Sequence, residues 1–163
     1  MPPILRRLAV LFAIAGGLAA CCVALLTVTS IAGRATMSAP IPGDVELTQF
    51  GIALSIALCL PWCQLSGSNI IVDFFTQRTS QATLGRMDAV GSVLLAAMVG
   101  VLAWRATVGA ISVRSAHETT MILDLPMWWT YAVLAPGFAL TALIALIQAH
   151  FRWRGIDIAV DSA

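Results

Sequence analysis

The stretch LAVLFAIAGGLAACCVALLTVTSIA, residues 8–32, decides how the rest of the chain is read. It follows a basic start at Arg6 and Arg7, and its small residues ahead of Cys21 imitate a lipoprotein or twin-arginine export signal. A signal core, however, runs to about 15 apolar residues at most, whereas this run passes through Cys21 without a charge and continues to Ala32. Crossing the hydrocarbon core as a helix takes about 20 such residues. The stretch therefore reads as an uncleaved first membrane span.

Three further apolar runs of spanning length follow, at about residues 45–65, 87–104 and 127–151. The composition agrees, with 60% hydrophobic and 10% charged residues, outside the range of a soluble globular domain. The connectors, GRATMSAPIPGD, SGSNIIVDFFTQRTSQATLGR and RATVGAISVRSAHETTMILDLP, are too short to fold alone. The expected architecture is all-α: an integral membrane four-helix bundle forming a single domain over residues 1–163. Asn69, Asp73 and Gln77 recur at four-residue spacing in NIIVDFFTQR, which suits a short interfacial helix, and TVGAISVRSA suits a second one.

All nine basic residues are arginines, and their placement sets the expected orientation. With the N-terminus in the cytoplasm, that side collects Arg6, Arg7, Arg78, Arg86, Arg152 and Arg154, leaving Arg34, Arg105 and Arg114 outside. Both termini are thus expected to be cytoplasmic. Arg105 follows the third apolar run and is expected to reach the outer interface by snorkelling beside Trp104. Trp128, Trp129 and Tyr131 at one end of the fourth run, and Phe151 with Trp153 at the other, are placed as interfacial belts. A net charge of +1 gives no basic field for nucleic acid, so the partners expected are the lipid bilayer and other proteins.

Enzymatic chemistry finds little footing. Cys21, Cys22, Cys59 and Cys63 all fall inside spans, where a thiol serves as a small packing residue and is not reachable for disulfide exchange. His117 and His150 lie at opposite membrane faces and cannot form an axial haem pair, and no His, Cys or carboxylate cluster has metal-ligand spacing. No base stands beside a serine or threonine. No catalytic residue, metal or cofactor is assigned. The interiors of runs one, three and four carry no charge in this reading, so a transport site within the chain is not expected either. Small residues, Gly16, Gly17 and Ala20 in the first run and Gly91, Ala96 and Gly100 in the third, offer close helix contacts.

Interest then moves to the charged rims: Arg34, Asp44 and Glu46 around the first turn, and Arg114, His117, Glu118 and Asp124 before the fourth run. Asp44 and Glu46 stand in the first turn of the second helix, where the positive helix end favours carboxylates and Asp44 can cap free N–H groups. Glu46 is left without a local partner and lies within reach of Arg34 or of a cation on another protein.

Taken in order, Arg34, then PIPGDVEL (residues 40–47), then SGSNIIVDFF, then DLPMWWTYAVLAPGFAL resemble the small membrane (Q-type, DctQ-like) subunit of tripartite ATP-independent periplasmic (TRAP) transporters. The likeness covers nearly the whole chain. Arg34, Pro42, Gly43, Glu46, Gly67, Asp73, Pro126, Trp129, Pro136 and Gly137 occupy matching positions. Two departures stand out: Asn69 replaces a common histidine, and Gly43 with Asp44 replaces a tryptophan-containing helix opening. The resemblance implies a bacterial inner-membrane scaffold subunit. Its partners would be a large membrane subunit and a periplasmic substrate-binding protein, and the complex would import an organic anion on an ion gradient, usually sodium. Arg34, Asp44, Glu46, Asn69, Asp73, Arg114, Glu118 and Trp129 become the candidate assembly residues. The alternative is a stand-alone four-helix membrane protein, either an assembly factor or a thiol-redox enzyme.

Overall fold

A computed structural model describes residues 3–37, 41–67 and 81–153 of the chain. Four long helices make it up: α1 Pro3–Met37, α2 Asp44–Leu65, α3 Gln81–Ser115 and α4 Trp128–Trp153. Each contains a stretch long and apolar enough to cross a membrane. Among the described residues there is no strand, only an isolated bridge between Thr119 and Pro126. NIIVDFFTQR, with Asn69 and Asp73, lies outside the described residues.

Helix ends follow local backbone chemistry. Before α2, Gly43 adopts φ 73°, a left-handed turn that glycine enters without a Cβ penalty. After α2, Gly67 does the same at φ 66°. The third helix differs from expectation. It does not stop at Trp104 but continues to Ser115, so TVGAISVRSA is the last part of α3 and no separate surface helix. The sequence there contains no proline, and a single charge does not break a helix. Its end comes where His117 turns left-handed at φ 53°, with Glu118 N–H bonded to the Val113 carbonyl and His117 N–H to that of Arg114, a Schellman arrangement. Arg105 consequently sits ten residues inside the helix, and α3 carries a charge in its interior after all.

The helices pack as an open series in the order α1, α2, α4, α3. α1 lies along α2, α2 along α4 and α4 along α3, while α1 touches α4 marginally and, among the described residues, α3 packs on neither α1 nor α2. Small residues set the spacing. A Cβ on Gly137 would collide with the Ala57 carbonyl oxygen, and one on Gly16 would crowd Cys59 Sγ and the Ser55 carbonyl. Ser55 Oγ donates to the Gly16 carbonyl at 2.9 Å, a direct α2–α1 tie. Of the other small residues expected at contacts, Ala96 is buried, whereas a Cβ on Gly17, Gly91 or Gly100 would meet nothing within 4 Å among the described residues.

A compact apolar cluster of Leu5, Ala9, Leu65 and Ile144 joins α1, α2 and α4 at the Arg152 end. Beside it, Gln64 Nε2 donates to Gln148 Oε1 at 2.7 Å, and Gln148 Nε2 donates back to the Gln64 carbonyl at 2.9 Å. Both side chains are buried, so each supplies what the other's amide requires. On the far side of α4, Arg152 Nη1 donates to Ser92 Oγ at 3.1 Å and fixes the α3–α4 register.

Candidate assembly site at the entrance of α2

The ends of all four helices meet at the Asp44 end of the molecule, and two carboxylates there organise different neighbours. Asp44 faces α1: the buried Ser30 hydroxyl donates to its Oδ2, and Arg34 Nη2 approaches the same oxygen at 3.5 Å. Its Oδ1 accepts the N–H of Val45 at 2.8 Å, satisfying one of the free donors of the first turn. Ser30 and Arg34 are four residues apart on α1 and therefore share a face, which is how one short acid reaches both.

Glu46 does not pair with Arg34. It reaches across to the α3–α4 connection, where Oε1 accepts the Ile122 N–H at 2.9 Å and Oε2 accepts the Leu123 N–H at 3.1 Å. Hydrogen bonds to an ionised carboxylate are roughly twice as strong as neutral ones, so both oxygens act as a clamp on that loop. The loop carries its own bracing. Thr120 N–H donates to the Leu125 carbonyl at 2.9 Å, Leu125 N–H to Thr120 Oγ1 at 3.1 Å, and Met127 N–H to the Glu118 carbonyl at 3.1 Å. Leu123 packs on the bare α-carbon of Gly43, where any Cβ would clash with it. At the loop tip Met121 is 99% exposed and Ile122 60%, so a rigid base presents two apolar side chains outward.

The remaining residues of the rim divide between the two sides of α4. Arg114 stacks its guanidinium 5.2 Å from the Trp128 ring centre, a cation–π contact, beside an open cleft of about 650 Å³ lined by Ser115, His117 and Glu118 among others. Trp129, edge-on to Trp128 with ring centres 6.1 Å apart, instead borders an apolar cleft of about 430 Å³ between α2 and α4. Arg34, Asp44 and Glu46 are thus gathered at the α2 entrance, Arg114 and Glu118 share the neighbouring cleft, and Trp129 stands between. Asn69 and Asp73 are the two candidates that lie outside the described residues. Sequence reading passed over Ser30, although its spacing from Arg34 was available. It also passed over Thr120, Gln64 and Gln148, polar residues in or beside apolar runs.

Among the described residues no group of three His, Cys, Asp or Glu is placed to hold a metal ion. The four cysteines are free; Cys59 packs near Gly16, while Cys21, Cys22 and Cys63 are exposed on the helix surfaces of this chain. Compared with known families, residues 23–155 match the model of the tripartite ATP-independent periplasmic transporters, DctQ component. The chain belongs to the DctQ family. It is the small membrane subunit of a TRAP transporter and not an enzyme. Neither a curated protein nor a solved structure matches it. A DctQ subunit is one component of a tripartite transporter, and in this one the Glu46 hydrogen bonds brace the loop before α4.

Proposed function

We propose that this DctQ chain is the scaffold and docking subunit of an inner-membrane importer. Its helix faces hold a large membrane subunit, and its Asp44 rim lies on the periplasmic side to receive a substrate-binding protein. The observation that carries the reading is the open series α1–α2–α4–α3. A closed bundle buries its core against itself, whereas this one leaves large apolar side chains such as Leu18 and Leu25 on α1, and Leu94 and Met98 on α3, uncovered. Faces of that kind are suited to a partner's helices as well as to lipid.

Orientation is supported by the arginines. Six of the nine are expected on the side of the N-terminus, against Arg34 and Arg114 at the other rim, which favours cytoplasmic termini by the positive-inside tendency. Selectivity for an organic anion and coupling to a sodium gradient would then reside in the partners, in keeping with the family resemblance. The candidate assembly residues in this scheme are Arg34, Asp44, Glu46, Arg114, Glu118 and Trp129, together with Asn69 and Asp73. The four spans act as one unit.

The test is purification from membranes in mild detergent. A much larger multi-spanning protein is expected to co-purify with this chain; a stable lone monomer would reject the scaffold reading.

A further inference from the structure

Arg105 lies well inside the apolar span of α3 and has no partner among the described residues. Two contacts fix its depth. At one end of α3, Arg114 stacks on Trp128, and at the other Ser92 accepts from Arg152, so these two levels mark the rims of the α3–α4 pair. Nine residues separate Arg105 from Arg114 and thirteen separate it from Ser92, which at about 1.5 Å per residue gives about 14 Å and about 20 Å. Against a hydrocarbon core of about 30 Å, that is an intramembrane position. The α4 register agrees: Gly109 faces Tyr131 and Gly137 packs on Ala57, so Arg105 is level with the middle of α2.

Its side chain is exposed, and no hydrogen bond or ion pair holds it among the described residues. No carboxylate of the described chain stands at that depth; Asp44, Glu46, Glu118 and Asp124 are at one rim and Asp88 at the other. α3 turns Ala89, Ala96, Val99 and Ala106 inward as its buried side, and these are the residues that can meet α4, its one neighbour. Arg105 belongs instead to the outward stripe of Leu94, Met98, Val101 and Val108, all exposed. An arginine stem spans only roughly half of the distance to the Arg114 level, so snorkelling alone does not bring the guanidinium to the rim.

We infer that this stripe of α3 is the seat of a helix from the large membrane subunit, and that a carboxylate on that helix meets Arg105 within the membrane. The occupant follows from charge: an otherwise apolar face with one fixed cation is completed by an apolar helix with one anion, and guanidinium–carboxylate forks are the pairing that best repays desolvation. The inference rests on the assembly proposed above and names its contact face.

Co-expression with the large subunit tests it, reading the amount of large subunit recovered per mole of this chain alongside the chain's own level in the membrane. Wild type is expected to retain the large subunit, Arg105→Lys to lose no more than two- to threefold, Arg105→Met at least fivefold and Arg105→Glu at least tenfold, with membrane levels unchanged. Changing one intramembrane acid of the large subunit to arginine is expected to restore the Arg105→Glu complex. Where Arg105→Glu fails to insert, Arg105→Met alone decides. Recovery equal to wild type for Arg105→Met overturns the inference, including the case in which bound phospholipid is lost instead, since that assigns Arg105 to a lipid phosphate. Failure of the wild-type chain to retain the large subunit overturns the assembly reading itself.

Discussion

Glu46 and Leu123 stand 77 residues apart in sequence, yet the carboxylate accepts the Leu123 N–H at 3.1 Å while its other oxygen takes the N–H of Ile122. The start of α2 therefore fixes the shape of the loop that introduces α4. Since the loop tip carries the exposed Met121 and Ile122, an acid on one helix determines which side chains another part of the chain presents outward.

Replacing Glu46 by glutamine keeps the size of the side chain but turns one acceptor into a donor facing a backbone N–H. The Glu46→Gln chain is expected to insert normally, to exchange the amide hydrogens of residues 120–125 several-fold faster, and to retain less binding protein. Hydrogen exchange by mass spectrometry reads the first effect directly; unchanged protection in that loop would remove the clamp from the account.

Gly43 and Gly67 share a left-handed backbone, but among the described residues only Gly43 is overlaid by another side chain. Alanine at Gly67 should cost about 1 kcal/mol, the backbone penalty alone. Alanine at Gly43 adds a collision with Leu123 and should cost about 1–3 kcal/mol more. Thermal unfolding of the two variants in the same detergent measures the difference, and equal losses would mean that Leu123 yields freely.

At the crossing of α2 and α4, Gly137→Ala is expected to cost about 1–3 kcal/mol because its methyl group meets a backbone carbonyl that cannot swing aside. Gly17→Ala, with nothing within 4 Å of the added methyl among the described residues, should be neutral or slightly stabilising. The contrast is read as a pair of melting temperatures, and a neutral Gly137→Ala would contradict the tight crossing.

The buried glutamines make a separable case. Gln148→Leu removes the donor to the Gln64 and Leu65 carbonyls and the acceptor for Gln64, for an expected loss of about 1–2 kcal/mol. Converting Gln64 to leucine as well should recover part of it, because no amide is then left facing its absent partner. A double-mutant cycle gives the coupling directly, and a value near zero would show that the pair is incidental.

The four spans were legible because spanning the bilayer requires long apolar runs, and residues 8–32 meet that requirement past the apparent signal site at Cys21. The extent of α3 was not. Hydropathy marks where charge begins, and at Arg105 a charge was read as the membrane edge, although the helix ends only where His117 turns the backbone. Which helices touch was equally hidden, since α1 through α4 are apolar around most of their circumference and the contacts depend on small residues such as Gly137. Glu46 could be singled out as an acid without a local partner, but its partners are backbone N–H groups, and these leave no mark in a sequence. Asp44, by contrast, could have been paired with Arg34 and Ser30 from the spacing of the latter two on one helix face.

Uptake by vesicles reconstituted with this chain, the large membrane subunit and the binding protein, each omitted in turn, tests the central claim most directly. The account predicts uptake with all three, and none when this chain is left out. Full uptake by the other two components without it, or transport by this chain alone, would contradict its role as the scaffold of the transporter.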